Sequence, residues 1–205
     1  AANVNDYPST PYFGDPYRNF YSEDIYVGYR YFETFARDKV LYPFGFGLSY
    51  TDFRTWDVSF SAGEKDAEIT FTVQNIGTVP GKEVVQVYVT ATEGALSKPE
   101  KVLAGFAKTR ELKPGLKEQM RIAIPYESFA SYDETGASGF VSSYILEKGE
   151  YLFHIGRNVR ETEVAGSFTL EETVCLASLS QALALTNQAV AEALDGLPEQ
   201  KLHCS

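Results

Sequence analysis

The feature that most constrains this chain is a change of hydrophobic period part-way along it. From Trp56 onward the pattern has period two: Ala67, Ile69, Phe71 and Val73 alternate with Glu68, Thr70 and Thr72. Such alternation puts one side of an extended strand into a core and the other into water, whereas a helix would need a period near 3.6. The run stops at Asn75-Ile76-Gly77, and Gly77-Thr78-Val79-Pro80-Gly81 leads into a second run, Val84 to Val89. These two runs are read as a pair, either antiparallel or facing each other across a sandwich. Val102 to Ala107, the alternating Met120, Ile122 and Ile124, Phe140 to Leu146, Tyr151 to Ile155 and Val164 to Leu170 supply further strands. Lys113-Pro114-Gly115 and Glu147-Lys148-Gly149-Glu150 separate some of them, proline presetting φ and glycine admitting positive φ. Roughly seven short strands at about 8 to 12 residue spacing predict a mainly β fold, an antiparallel β-sandwich.

The flanks depart from this pattern. Ala1 to Thr51 is irregular and aromatic-rich, with Tyr7, Tyr12, Phe13, Tyr17, Phe20 and Tyr21 set among prolines and no period. A short helical turn or strand is read through Ile25 to Phe32, and a Gly- and Pro-rich loop over Tyr42 to Tyr50. Aromatics without periodicity need a partner surface, so the segment reads as an incomplete domain. After the last strand, Leu176, Leu179, Leu183, Val190 and Leu194 fall at helical spacings. They predict an amphipathic C-terminal helix from about Glu171 to Leu194, ended by Gly196 and Pro198. Oligomerisation through this 171–195 helix is one expected role.

Charge and composition narrow the function. With 18 Lys+Arg against 28 Asp+Glu the net charge is −10, which disfavours nucleic acid and anionic membrane surfaces as partners. At 44% hydrophobic residues the chain can bury a core. No stretch approaches the roughly 20 apolar residues of a membrane-spanning helix, and the first thirty residues hold no apolar signal core. The chain starts at Ala1, so localisation is left open. Cys175 and Cys204 form no Cys-x-x-Cys spacing and no disulfide framework, and their redox state is left open.

Chemistry-bearing groups are few. Gly45-Phe46-Gly47-Leu48-Ser49-Tyr50 differs from a phosphate-cradling G-x-G-x-x-G in its last position and lacks a strand–loop–helix frame. His154 sits in a strand and His203 in the tail, neither at ligand spacing, so no metal, cofactor or Ser-His-Asp arrangement is expected. Glu23-Asp24, Asp133-Glu134 and Glu171-Glu172 are adjacent carboxylates read as solvated loop charge, and no catalytic residue is assigned. Aromatic faces can stack on sugar rings without any catalytic group. Trp56, Tyr12 and Tyr17 are the candidates for that role, against an expectation that a Trp at the start of a sandwich strand points inward.

Two motifs are specific: Glu23-Asp24-Ile25-Tyr26-Val27-Gly28-Tyr29-Arg30-Tyr31-Phe32, and Tyr42-Pro43-Phe44-Gly45-Phe46-Gly47-Leu48-Ser49-Tyr50-Thr51. Together with Pro80-Gly81-Lys82-Glu83-Val84-Val85-Gln86-Val87-Tyr88-Val89, Leu103-Ala104-Gly105-Phe106 and Gly149-Glu150-Tyr151, they resemble glycoside hydrolase family 3, the family of many β-glucosidases and β-xylosidases. The resemblance covers about Tyr7 to Leu170 and departs at Phe46, where many members carry His. It implies that residues 1–51 are the tail of an α/β sandwich domain, that 52–170 are a fibronectin type III-like (immunoglobulin-like) domain, and that 171–205 are a helical linker or tail. The family hydrolyses terminal β-linked sugars with retention, using an Asp nucleophile on a (β/α)8 barrel and a Glu acid/base on the α/β domain. Neither residue can be placed here, since the only Trp follows Thr55 and precedes Asp57, unlike the Ser-Asp-Trp-like setting of that nucleophile. A chain of 205 residues is also too short for a barrel of about 250. The resemblance thus implies an accessory portion, inactive alone, whose partners are the missing α/β and barrel domains. In some members the barrel follows these domains, an order that a linker past Leu170 would suit.

Overall fold

The computed structural model describes residues 1–14, 16–17 and 21–181. Strands β1 (Phe53–Ala62), β2 (Asp66–Asn75) and β5 (Lys117–Pro125) form a sheet of order β1-β2-β5. Facing it is a four-stranded sheet of order β4-β3-β8-β9, made by β3 (Val84–Ala91), β4 (Val102–Lys108), β8 (Gly149–Gly156) and β9 (Thr162–Leu170). All of these pairings are antiparallel. A third, small sheet of order β10-β7-β6 joins β6 (Ser131–Asp133), β7 (Ser143–Leu146) and β10 (Val174–Ser178). The predicted sandwich is therefore observed, and the period-two residues are its interior. Ala67 and Ile69 lie opposite Ile124 and Ile122 on one sheet, and Val87 and Val89 opposite Ile155 and Phe153 on the other. Full burial of each large apolar side chain contributes roughly 1.5–3 kcal/mol, which makes this face the main source of stability.

Strand β3 is buried on both faces, since Gln86 and Tyr88 are buried along with Val85, Val87 and Val89. What covers the outer face is the N-terminal segment. Its α-helix, α1 (Tyr29–Phe35), begins after Gly28 at φ 62°, ψ −124°, a conformation that only glycine adopts readily. The sequence reading of a helical turn or strand through Ile25 to Phe32 thus resolves as a helix set four residues later. Tyr29 packs edge-on to Tyr88 at 6.2 Å, and its hydroxyl accepts the Leu103 N–H at 2.7 Å. The Glu33 carboxylate accepts the Arg160 Nε–H with both oxygens at 3.0 Å, and Arg160 Nη2 donates to the Arg37 carbonyl. Part of the partner surface that the aromatics need is the sandwich itself.

The C-terminal prediction requires correction where the structure describes it. Helix was expected from Glu171, but Val174–Ser178 is a strand, antiparallel to β7 with Val174 opposite Leu146 and Ser178 opposite Ser143. The exposed edge of β7 offers unpaired backbone groups, and the β-branched Thr173-Val174 favours an extended chain beside it. Leu176 then packs at the margin of the core instead of on a helix face. The rest of that helix, the 171–195 oligomerisation role, His203 and Cys204 fall outside the described residues.

Candidate functional site

Residues 41–50 cross from α1 to the sandwich as an aromatic loop fixed from beneath. Phe44 stacks on Tyr29 at 4.5 Å, and its carbonyl accepts the Val159 N–H at 3.0 Å. Gly45 has φ 83°, and a Cβ there would lie 2.4 Å from Gln86 Oε1, so no larger residue allows this approach. Gln86 is itself held, donating to the Arg157 carbonyl and accepting the Tyr88 hydroxyl. At the far end Thr51 is buried and donates to Asn75 Oδ1 at 2.8 Å. Between these anchors Leu48 is 92% and Tyr50 100% exposed, with Leu41 and Tyr42 largely exposed as well. Phe13, Tyr17 and Tyr21 add exposed rings earlier in the segment. Large apolar groups turned outward on a rigid support mark an interaction surface.

The predicted sugar-stacking residues stand on separate elements. Tyr12 ends a 3-10 turn, Thr10–Tyr12, and is half-buried, while Tyr17 is 92% exposed. Trp56 does not point inward as expected: it lies on the outer face of β1, 38% exposed, with the Lys117 ammonium 5.5 Å from its ring centroid. The reason is a bulge between Trp56 and Ser59, with Asp57 at φ 56°. The bulge changes the phase of the strand, so Phe60 faces the core although it has the same parity as Trp56.

Two carboxylates act as loop pins that the sequence did not reveal. Asp133, read as solvated charge, is fully buried and accepts the backbone N–H groups of Gly136, Ala137 and Ser138 and the Ser138 hydroxyl. The Ser138 hydroxyl bond first, and the three N–H bonds with it, hold the acid at about 2 against the opposing effect of burial. Glu147, also buried, accepts the N–H groups of Ala95 and Leu96 and pairs with Lys98. Between the two pinned loops lies a cleft of about 610 Å³. His154 on β8 is half-buried, and its Nε2 is shut off from solvent with no hydrogen-bond partner among the described residues. Burial, then the nearby Lys101 charge, pushes its pKa down to about 4, so it is neutral at physiological pH.

Residues 83–159 match the fibronectin type III-like domain family, Fn3-like. Over 90% of its length the chain is 44% identical to a β-glucosidase from Paenibacillus barengoltzii, with a TM-score of 0.83, and it covers 21% of that chain. A GH3 β-glucosidase from Bifidobacterium adolescentis is 32% identical with a TM-score of 0.68, over 88% of this chain and 26% of its own. β-Glucosidase A of Butyrivibrio fibrisolvens is 43% identical over 220 residues, 98% of this chain and 26% of that protein. The chain thus spans about a fifth to a quarter of the length of these relatives, which carry other domains besides. The strand order, the family match and the relatives lead to one conclusion: the chain belongs to glycoside hydrolase family 3, as the portion that holds the fibronectin type III-like domain.

Proposed function

We propose that this chain is the non-catalytic accessory portion of a β-glucosidase-like parent that hydrolyses terminal β-linked sugars with retention. The observation that carries the reading is the anchored aromatic loop of residues 41–50, whose outward side chains have no cover among the described residues. In this reading residues 1–51 are the tail of an α/β sandwich domain, 52–170 the fibronectin type III-like domain and 171–205 a linker or tail. The cover is the parent's α/β and (β/α)8 barrel domains, which bring the nucleophile and the acid/base. A retaining glycosidase needs two carboxyl groups about 5 to 5.5 Å apart and free to react. The buried carboxylates Glu33, Asp133 and Glu147 are instead engaged by Arg160 and by loop donors. The test is hydrolysis of an aryl β-glucoside by the 205-residue chain and by the parent-length protein. Activity only in the long form is expected, falling or becoming heat-labile in its Leu48→Glu/Tyr50→Glu variant; turnover by the short chain sinks the reading.

A second reading, that the chain itself holds polysaccharide through Trp56, Tyr12 and Tyr17, is favoured by the outward setting of Trp56 beside Thr72 on the sheet face. Retardation in gels containing cellulose-like or xylan polymers, abolished by Trp56→Ala, is its expected signature. Equal mobility with and without polymer removes it.

A further inference from the structure

The cleft of about 610 Å³ lies at one end of the sandwich, and its size is within the roughly 300–1,000 Å³ of small-molecule sites. Val89, Val102 and Phe129 contribute an apolar floor. Its walls are the two loops already described, one tied to Glu147 and the other to Asp133. The first approaches its pin so closely that a Cβ on Gly94 would lie 2.5 Å from Glu147 Oε1. Because both carboxylates are spent on holding the walls, the cleft is preorganised and a ligand need not order it.

What projects into this rigid frame is specific. Tyr132 and Tyr144 are directly opposite across the β6–β7 pair, with ring centroids 5.2 Å apart and planes tilted 53°. They remain 43% and 41% exposed, so each offers ring surface while its hydroxyl stays near water. Arg30, in the first turn of α1, also lines the cleft. It is half-buried, and its guanidinium makes no hydrogen bond or ion pair among the described residues. Asp24 and Glu134 add carboxylates to a polar lining that also holds Ser97, Ser128, Ser131 and Thr135.

These groups select among ligands. A phosphate or other anion is disfavoured, because Asp24, Asp133 and Glu134 all line the cleft and Lys98, the lysine of the lining, is neutralised by Glu147. A purely apolar ligand would strip water from Arg30 and the carboxylates without replacing their hydrogen bonds. A neutral ring with an apolar face and peripheral hydroxyls meets both demands: its C–H face covers the tyrosines, and its hydroxyls pair with a guanidinium that donates and carboxylates that accept. We propose that the cleft bounded by Tyr132, Tyr144, Arg30, Asp24 and Glu134 is a binding site for a neutral saccharide of one or two rings. It shares no residue with the Trp56 face, and it stands whether or not the parent cleaves β-glucosides.

The test is calorimetric titration of the 205-residue chain with cellobiose, backed by ligand-observed NMR. Saturable binding with a Kd of about 1 mM is expected, weakened about tenfold or more by Tyr144→Ala and abolished by Ser97→Trp, which fills the cleft. Tyr144→Phe keeps the ring and should retain the affinity within about threefold, and Trp56→Ala should leave it unchanged. Thermal melts and circular dichroism establish that each variant is folded. Absence of saturable binding, or equal binding by folded Tyr144→Ala and Ser97→Trp, overturns the site. Binding lost in Trp56→Ala but not in the cleft variants also overturns it, while supporting the polysaccharide reading of the other face.

Discussion

Asn75 is completely buried at the end of β2, and its amide is fully used. Oδ1 accepts the Thr51 hydroxyl and the Gly77 N–H, while Nδ2 donates to the carbonyls of Val79 and Leu112. Sequence alone reads Asn75-Ile76-Gly77 as a turn, which is correct locally, but the side chain also joins the entry of the chain into the sandwich to the turn before β5. Asn75→Ala leaves several buried groups unpaired, each costing about 1–3 kcal/mol, and should lower unfolding stability in urea by about 3 kcal/mol or more. His154 and Asp133 give separate signatures in pH. The unfolded chain protonates His154 near 6.5 and the folded one only near 4, so as pH falls through this window protons favour unfolding and stability declines. His154→Gln should flatten the fall of melting temperature between pH 7 and pH 4.5. The Asp133 contribution is fully present above its ordinary 3.8 and is lost as pH falls towards 2. Asp133→Asn should therefore lower the melting temperature at pH 7 and remove part of the acid dependence below pH 4, and hydrogen exchange at residues 136–138 should rise.

At the scale of elements, α1 is attached by few groups, and Glu33 with Arg160 is the strongest link. Replacing one partner leaves the other's charge poorly compensated, so Glu33→Gln should ease local opening of the N-terminal segment by about 3 kcal/mol. Trypsin should then cut sooner at Arg30, Arg37 and Lys39, while the sandwich remains protected. Six of the seven sandwich strands, all but β1, were legible as separate runs, β2 and β5 because alternation is a direct imprint of a two-faced sheet and β3 as a continuous apolar run bounded by turns. β6 was not, since three residues carry no measurable period, and Phe140 was read into a strand that starts only at Ser143. β10 was misread because Leu176 and Leu179 fit a helical stripe, whereas the vacancy they answer is an edge formed by residues thirty positions earlier. The bulge after Trp56 inverted a facing that parity alone predicts. The cleft was invisible for a related reason: Glu147 binds donors 51 and 52 residues away, and no local pattern announces such a partner.

For the whole molecule, the net charge of −10 and the exposed rings pull in opposite directions. Charge keeps copies apart at neutral pH, and this repulsion vanishes near the isoelectric point of about 4.7. The isolated chain should therefore self-associate in sedimentation as pH approaches 5, and Leu48→Glu/Tyr50→Glu should suppress this by interrupting the apolar surface and adding charge. The way both flanks return to the sandwich has a practical meaning for anyone transplanting it. Excision at residues 52 and 170, the apparent domain borders, would strip the cover from Gln86 and Tyr88 and leave one side of β7 without β10. The transferable cassette runs instead from before Gly28 to beyond Ser178, and a graft that respects those seams carries its own lining with it.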